Sequence, residues 1–436
     1  MNKKEIPDET IEIVAKHINE RNNRPSKIPI ITIDGETETP HYFEILPFDQ
    51  IDKSKAHFFA IDGSYNSKEF YNGLCVGIYT AGYVCFQEGK QVRMNDLTDP
   101  VILGKAYYPN NILITNDEHK DAIFDELLSL EPVKAFLAFL GADETQVFPF
   151  NKEIIVATLS KLLSFCQEIL EWSLVYEISN LPLIQKGDFI LRDGTLRSNN
   201  IKQKYLVKLA QHLSQKGVFI VAITKNSAVK MELSSTYKNI DSHLQEELKP
   251  KYPFITKNPR WQKLCCWFEV PDYILFHAYP DVEQKRKVNE GTIPSVTKTS
   301  MFADPRINNN GRGFGLFFSA RLDYVEKLQN YDWVIIDLNV LDVIPGINAG
   351  MSVSEIKQQK RNVDAVKHVF YELTRLTQEH YILGYPYPLV EVHNFVTLKN
   401  HFNEEIVRRV KYSLYQDQRM DHVDIENLFL DIHERF

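Results

Sequence analysis

The two stretches that decide the fold are FFAIDGS, at residues 58–64, and FILRDGT, at residues 189–195. Each is a short apolar run that ends in Asp-Gly and a hydroxyl residue, the pattern of a buried strand stopped by a turn. In open α/β sheets the carboxyl ends of the strands border the ligand crevice. We therefore expect Asp62 and Asp193 at strand ends beside a site, although either motif alone is more often an ordinary turn.

The segment between these motifs predicts a long helix, because apolar residues from Asn151 to Asn180 recur at i, i+3, i+4 spacing. Glu177 falls at the centre of the apolar stripe, and Glu171 falls near its edge, beside Trp172. A carboxylate on a core-facing stripe is costly unless a cation or hydrogen-bond donors meet it. We take Glu177 as the site carboxylate and Glu171 as the alternate; the competing interpretation is a helix end that emerges into water.

The order of elements predicts an α/β sheet covered by helices. A helix at about residues 201–215 leads into the apolar run GVFIVAITKN at 217–226, which gives a strand–helix–strand order. We expect residues 1–56 to form an N-terminal helix and arm, and residues 57–436 to form one domain with an insertion at about 231–330.

Composition limits the class of protein. The chain has 436 residues, of which 44% are hydrophobic and 25% charged, as in soluble globular proteins. Its five cysteines form no CxxC pair, no apolar run approaches the roughly 18 residues of a membrane span, and its start is polar, so we expect a cytoplasmic protein without a membrane partner. The net charge of −8 argues mildly against a nucleic-acid coat protein but not against a nuclease.

The candidate carboxylates indicate a metal-dependent reaction. Asp62, Glu177 and Asp193 offer the hard oxygen ligands that Mg²⁺ or Mn²⁺ prefers, and such a site can hydrolyse a phosphodiester bond. Two strand-end aspartates with a helical glutamate also resemble ribonuclease H-like nucleases, an analogy of fold. The sequence thus predicts a ribonuclease H-like mixed sheet flanked by helices.

The order of motifs resembles that of the NurA family of DNA-repair nucleases. The order is IDGS, a long helix carrying Glu, RDGTL, a strand ending in Lys225, and finally GYPYPLVEVH at residues 384–393. The resemblance implies Mn²⁺-dependent 5′–3′ exonuclease and single-strand endonuclease activity on DNA, a homodimer, and partnership with the hexameric ATPase HerA. DNA end processing and antiphage defence both agree with such a partner. The chain contains no GxxxxGK[ST] motif, so a separate motor is expected.

Matched to the family's motifs, Asp62 corresponds to its first acidic residue and Asp193 to the later one, and Glu177 is our choice for the helical glutamate. His393 matches the late histidine, and Tyr385 matches the tyrosine of the same motif. The resemblance implies that Asp62, Glu177, Asp193 and His393 bind the metal ion.

The remaining candidates have a structural alternative each. His393 could ligate metal or donate a proton, but such a histidine is more often structural. Tyr385 could orient a phosphate or stack on a base, or be a turn aromatic. Lys225 could pair with the scissile phosphate, or be a solvated strand end. Arg192 and Arg197, which bracket the second Asp-Gly motif, are weaker candidates for contacts with the DNA backbone.

Two other functions compete with the DNA nuclease. The first is a non-catalytic subunit that binds DNA ends or a helicase and keeps the same fold. The second is a ribonuclease of similar fold. Metal-dependent degradation of labelled DNA, compared with RNA, discriminates all three.

Overall fold

The computed structural model describes part of the chain. The described residues are 8–22, 32–33, 36–37, 42–47, 54–69, 75–93, 104–107, 113–114, 120–148, 158–198, 200–225, 227, 229–230, 233, 237, 262–270, 314–322, 333–347, 358–377, 384–398, 400–417 and 421–429.

The helices among these residues are α1 (Asp8–Asn22), α2 (Lys120–Ser129), α3 (Glu131–Leu140), α4 (Glu144–Val147), α5 (Leu159–Ser179), α6 (Gln203–Lys216), α7 (Val340–Val343), α8 (Val363–Leu376), α9 (Tyr387–Val396), α10 (Asn400–Asp417) and α11 (His422–Phe429). The strands are β1 (Thr32–Ile33), β2 (Glu36–Thr37), β3 (Tyr42–Pro47), β4 (Phe58–Glu69), β5 (Cys75–Gln87), β6 (Lys90–Gln91), β7 (Gly104–Tyr107), β8 (Leu113–Ile114), β9 (Phe189–Asp193), β10 (Phe219–Thr224), β11 (Gln262–Glu269), β12 (Gly315–Arg321) and β13 (Val334–Asn339). None of the helices described is long and apolar enough to cross a bilayer.

One mixed sheet organises the chain, in the order β3-β11-β12-β13-β10-β9-β4-β5-β6, with β7 and β8 also paired to β5. Strands β4, β9 and β10 are parallel, whereas β5 and β13 run antiparallel to their neighbours. The core series β7-β5-β4-β9-β10, with α5 and α6 in the connections before and after β9, has the arrangement of a ribonuclease H-like core. The predicted α/β class, a mixed sheet flanked by helices, is confirmed.

The two faces of the sheet are covered by different helices. Alternate residues of β4, such as Phe59 and Ile61, pack with α2, α3, α5 and α6 on what we call the α5 face. Phe58 and Ala60 pack with α7, α8 and α9 on the opposite side, the α9 face. Because successive strand residues point to opposite faces, Asp62 continues the series of Ala60 and belongs to the α9 face.

The pairing register brings the two predicted aspartates to the same level. Ile61 of β4 pairs with Arg192 of the parallel strand β9, so Asp62 and Asp193 are each the next residue along. Leu191 lies in the core of the α9 face, and Asp193, two residues later, points to that face as well.

The sheet also includes segments that the sequence analysis placed outside the main fold. Strand β3, within the expected arm of residues 1–56, pairs with β11 at one edge. Strands β11 and β12 come from the expected insertion at 231–330. Local patterns could not indicate these pairings, because each joins segments distant in sequence.

A buried clamp ties the first residues of β4 and β9 together, at the end of the sheet opposite the aspartates. Asp188, only 3% exposed, accepts hydrogen bonds from the backbone N–H groups of His57 at 2.8 Å and Gln185 at 2.7 Å. Its Oδ2 also lies 3.1 Å from Nδ1 of His57. The clamp satisfies the buried backbone N–H of His57 and a partly buried one at Gln185.

We expect Asp188→Ala to lower the free energy of unfolding by at least about 2 kcal/mol, since each buried donor left unpaired costs about 1–3 kcal/mol. Urea unfolding followed by circular dichroism measures the change. Asp188→Asn keeps one acceptor oxygen and should lose roughly half as much. An unfolding midpoint equal to that of the wild type in both variants would contradict the clamp.

Candidate active site

The site is built around Asp62, at the point where β4 passes the end of β9. Its Oδ1 accepts a hydrogen bond from the backbone N–H of Gly63 at 2.8 Å, and its Oδ2 lies 2.8 Å from Nδ1 of His393. Asp62 is 9% exposed, whereas the side chain of His393 is 60% exposed. Helix α9, which begins after Pro386, carries His393 over β4, so the contact joins residues far apart in sequence.

Burial and the negative charge of Asp193 both contribute to the raised pKa of the Asp62 carboxyl. Burial raises the pKa of the Asp62 carboxyl, hydrogen bonds from His393 and Gly63 oppose the rise, and the negative charge of Asp193 adds to it. The two carboxylates therefore lie close enough to repel each other in a site largely withdrawn from water. A cation between them would relieve this repulsion.

Tyr385 and Lys225 complete the same face. Tyr385 is 3% exposed, and burial followed by the charges of Asp193 and Asp62 raises the pKa of its hydroxyl. The hydroxyl is near Asp193 but makes no hydrogen bond of ordinary geometry to any described residue. Nζ of Lys225 lies 3.6 Å from the centroid of the Tyr385 ring, a cation–π contact. The structure thus gathers five of the predicted residues: Asp62, Asp193, Lys225, Tyr385 and His393.

The helical carboxylate beside Asp62 is Glu171. Its Oε2 accepts a hydrogen bond from Arg192 at 2.8 Å and its Oε1 one from Gln167 at 2.8 Å. Glu171 lies directly against Gly63, where a Cβ atom would be 2.6 Å from Oε1. Burial raises its pKa to about 7; Arg192 opposes the rise, and the charge of Asp62 adds to it. Glu171 is therefore on the α5 face, immediately behind Asp62.

Glu177, our first choice, lies in a separate cluster. Its carboxylate accepts hydrogen bonds from the hydroxyls of Tyr83 at 3.0 Å and Tyr107 at 2.7 Å, and from Lys105 at 2.6 Å. The geometry places Glu171, the alternate, and not Glu177 beside Asp62. Helical periodicity gives the direction in which a side chain points, but not its height: six residues move Glu177 about 9 Å along the axis.

The two predicted DNA-binding arginines are internal. Arg192 is 7% exposed, lies over the Trp172 ring and donates a hydrogen bond to the carbonyl of Thr195. Nε of Arg197 is 3.9 Å from Oδ2 of Asp337, and its guanidinium carbon lies 3.6 Å from a ring centroid, that of Phe317. This placement contradicts their prediction as DNA contacts. Buried carboxylates and aromatic rings, invisible to a local motif, account for it.

Sequence reasoning missed Asp337. It lies in the middle of β13, is 1% exposed and accepts a hydrogen bond from the backbone N–H of Leu196 at 2.9 Å. Burial raises its pKa to about 6, with Arg197 opposing the rise. The signal in the sequence was an acidic residue inside the apolar run VIIDLNV at residues 334–340, because a charge is rarely buried without partners.

The donor set fits a divalent cation held by few protein ligands. Among the residues described, no three His, Cys, Asp or Glu side chains are gathered into a ready-made metal cage. Asp62 and Asp193 offer two carboxylates on one face, and Mg²⁺ is commonly bound by one or two carboxylates with water and phosphate oxygens as further ligands. The hydroxyl of Tyr385, which interacts with Asp193, adds a hydrogen-bond donor beside these carboxylates.

No protein-family model and no curated protein matches the sequence. Among solved structures, the chain is similar to the NurA nuclease from Sulfolobus solfataricus, with 15% identity, 95% of this chain and 98% of that chain covered, and a TM-score of 0.42. It is also similar to a second NurA structure (11% identity, 96% and 99% covered, TM-score 0.33) and to NurA bound to dAMP and manganese (11% identity, 97% and 99% covered, TM-score 0.31). These likenesses run along nearly the whole chain, and at such low identities and TM-scores they assign no activity to it.

Proposed function

We propose that this protein is a divalent-metal-dependent DNA nuclease that hydrolyses phosphodiester bonds with Mn²⁺ or Mg²⁺. The observation that supports the proposal is the convergence of Asp62 and Asp193 at one level of the α9 face, with Lys225, Tyr385 and His393 around them. A pair of acidic ligands surrounded by hydrogen-bond donors and a cation suits an anionic substrate whose charge grows during reaction.

Asp62 and Asp193 would hold the metal ion. A bound divalent cation in such a site supplies charge neutralisation at the phosphate and a more acidic water molecule. The aspartates need no cage of protein ligands for this, because phosphate oxygens of the DNA complete the coordination.

The three other residues would act on the phosphate. The ammonium of Lys225, held against the Tyr385 ring, offsets the negative charge of a phosphate oxygen. The Tyr385 hydroxyl, buried beside Asp193, would donate a hydrogen bond to that group. His393 is exposed on one side and held by Asp62 on the other, so its outer nitrogen would donate a proton to the leaving oxygen or a hydrogen bond to a phosphate oxygen.

The finer properties rest on the resemblance of the motifs to the NurA family. They are 5′–3′ exonuclease and single-strand endonuclease activity, a homodimer, a HerA-type ATPase partner, a cytoplasmic location, and a role in DNA end processing or antiphage defence. The sequence contains no Walker A motif, so energy for moving DNA would come from that partner.

A non-catalytic DNA-end or helicase-binding subunit is the alternative, because Glu171 is engaged by Arg192 and Gln167. It predicts DNA binding without degradation.

Asp62→Asn should reduce Mn²⁺-dependent degradation of end-labelled linear DNA by at least about 100-fold, since even the outer partners of metal ligands are worth about 10- to 100-fold. The substitution removes the negative charge of the side chain and preserves its size. Gel electrophoresis of 5′- and 3′-labelled strands measures the rate and the polarity, and circular dichroism verifies folding. Equal degradation by both proteins, or none by either, would rule out the mechanism.

Glu171→Gln should slow cleavage by at least about tenfold, and Glu177→Gln should slow it far less, if support of Asp62 comes from Glu171. Both substitutions neutralise a glutamate of the same helix, so they control for each other. The reverse order would restore Glu177 as the site carboxylate.

The cleavage rate should rise with pH between about 5 and 8, because burial raises the pKa of Asp62 and raises that of Glu171 to about 7. The ionised forms, present above these pKa values, are the ones that attract a cation. A pH–rate profile at a Mn²⁺ concentration below saturation measures this, and the residual activity of Glu171→Gln should lose the limb near pH 7. A rate independent of pH over this range would contradict the assignment.

A further inference from the structure

The residues that follow Asp193 form a turn, residues 193–197, that we call the Asp193 turn. Gly194 adopts a φ of 105°, a conformation that glycine tolerates and other residues rarely adopt. Its N–H donates to the carbonyl of Ile223 at 3.0 Å, and its carbonyl accepts from the Thr224 hydroxyl. Strand β10 therefore fixes the first half of the turn.

The second half is fixed from the α5 face. Arg192 donates a hydrogen bond to the carbonyl of Thr195, and the N–H of Phe314 donates to the carbonyl of Leu196 at 3.4 Å. The N–H of Leu196 donates a buried hydrogen bond to Oδ2 of Asp337 at 2.9 Å. Asp337 thus reaches across from β13, beyond β10 in the sheet, to hold the turn.

The surroundings of Asp337 are shaped for its carboxylate. On the neighbouring strand β12, Gly315 has no side chain, and a Cβ there would lie 1.8 Å from Oδ1 of Asp337. Arg197, packed on Phe317, places its Nε 3.9 Å from Oδ2. Burial raises the pKa of Asp337, and the charges of Arg197 and Arg192 oppose that rise. Gly315 thus leaves space for the Asp337 carboxylate and the two arginines supply positive charge near it, so the hydrogen bond from Leu196 is charge-assisted.

We propose that Asp337 is a positioning residue for the nuclease reaction: by holding the Asp193 turn it fixes the separation of the Asp193 and Asp62 carboxylates. The inference rests on the proposed function, since only a shared ligand demands a fixed separation. Asp337 itself lies on the α5 face, because its register partner Ala222 belongs to the core of that face, so it does not touch the substrate. Ligands must be held within fractions of an ångström, which requires such outer support.

Asp188 offers a matched control for the competing interpretation, in which Asp337 stabilises the fold and nothing more. Both aspartates are buried, and each accepts hydrogen bonds from backbone N–H groups beside β9. Asp188 stands before the first residue of β9, and Asp337 acts just after its last. Loss of general stability should therefore be common to both, whereas loss of positioning should be confined to Asp337.

The test compares wild type, Asp337→Asn, Asp337→Ala and Asp188→Asn as full-length proteins, below their unfolding temperatures. Steady-state cleavage of a 5′-labelled single-stranded DNA with Mn²⁺ gives kcat, KM for DNA and the Mn²⁺ concentration for half-maximal rate. Hydrogen exchange read by mass spectrometry reports protection of residues 194–197 and, as an internal reference, of the first residues of β9.

We expect Asp337→Ala to lower kcat by about 10- to 100-fold and to raise the Mn²⁺ requirement, with KM for DNA changed by less than about threefold. Exchange at 194–197 should accelerate while the reference does not. Asp337→Asn keeps an acceptor for Leu196 but no charge, so the losses in kcat and in exchange protection should both be smaller than in Asp337→Ala. If the alanine variant does not fold, a loss of at least about threefold in kcat together with faster exchange of the turn in Asp337→Asn would support the positioning role. Asp188→Asn should retain kcat.

Folded Asp337 variants with wild-type kcat, or with losses no greater than those of Asp188→Asn, would overturn the positioning role and leave the proposed function standing. A wild-type protein that degrades no DNA with Mn²⁺ would overturn the proposed function and the positioning role with it.

Discussion

Two negative charges held side by side, where β4 passes the end of the parallel strand β9, are the constraint on which the rest of this structure depends. Asp62 and Asp193 share one level and one face, and burial sharpens their repulsion because water screens it poorly there. Hydrogen-bond donors and a cation lie next to these negative charges: His393 bonds to Asp62, and Lys225 lies on the ring of Tyr385. Without a ligand, this arrangement is electrostatically unfavourable. It therefore favours the binding of a cation or of a ligand that carries a cation.

The two faces of the sheet have different roles in the proposed site: one carries the groups that would contact substrate, and the other carries groups that position them. On the α9 face are the side chains that would meet a substrate, carried by the middle of β4, by the ends of β9 and β10, and by α9 with the residues just before it. On the α5 face, Glu171, Arg192 and Asp337 form buried polar contacts that keep the backbone of those strand ends in place. Buried ion pairs contribute little net stability compared with apolar packing, but they define geometry well when every partner is present.

The sequence predicted those parts of the site that depend on short, local residue patterns. Asp62 and Asp193 each end an apolar run, and that pattern indicated their positions. The expected strand end is found only at Asp193, because β4 continues past Gly63 to Glu69, paired with β5. Glu171 and Glu177 could not be ranked, because the level at which a helix meets a strand end depends on packing between distant segments. Arg192 and Arg197 resembled solvent-facing cations in a motif, yet their carboxylate partners come from other elements. The pairing of β3 with β11 was hidden for the same reason: hydrogen bonds between distant strands leave no periodic trace.

The closeness of Glu171 to Asp62 has a thermodynamic consequence, because only one layer of backbone separates the faces to which they belong. The proton affinity of Glu171 is increased in part by the charge of Asp62. A cation that neutralised Asp62 from the other side would lower that affinity, so its binding on one face would favour loss of a proton from the opposite face. Ligand uptake and proton release would then be linked through the thickness of a single sheet.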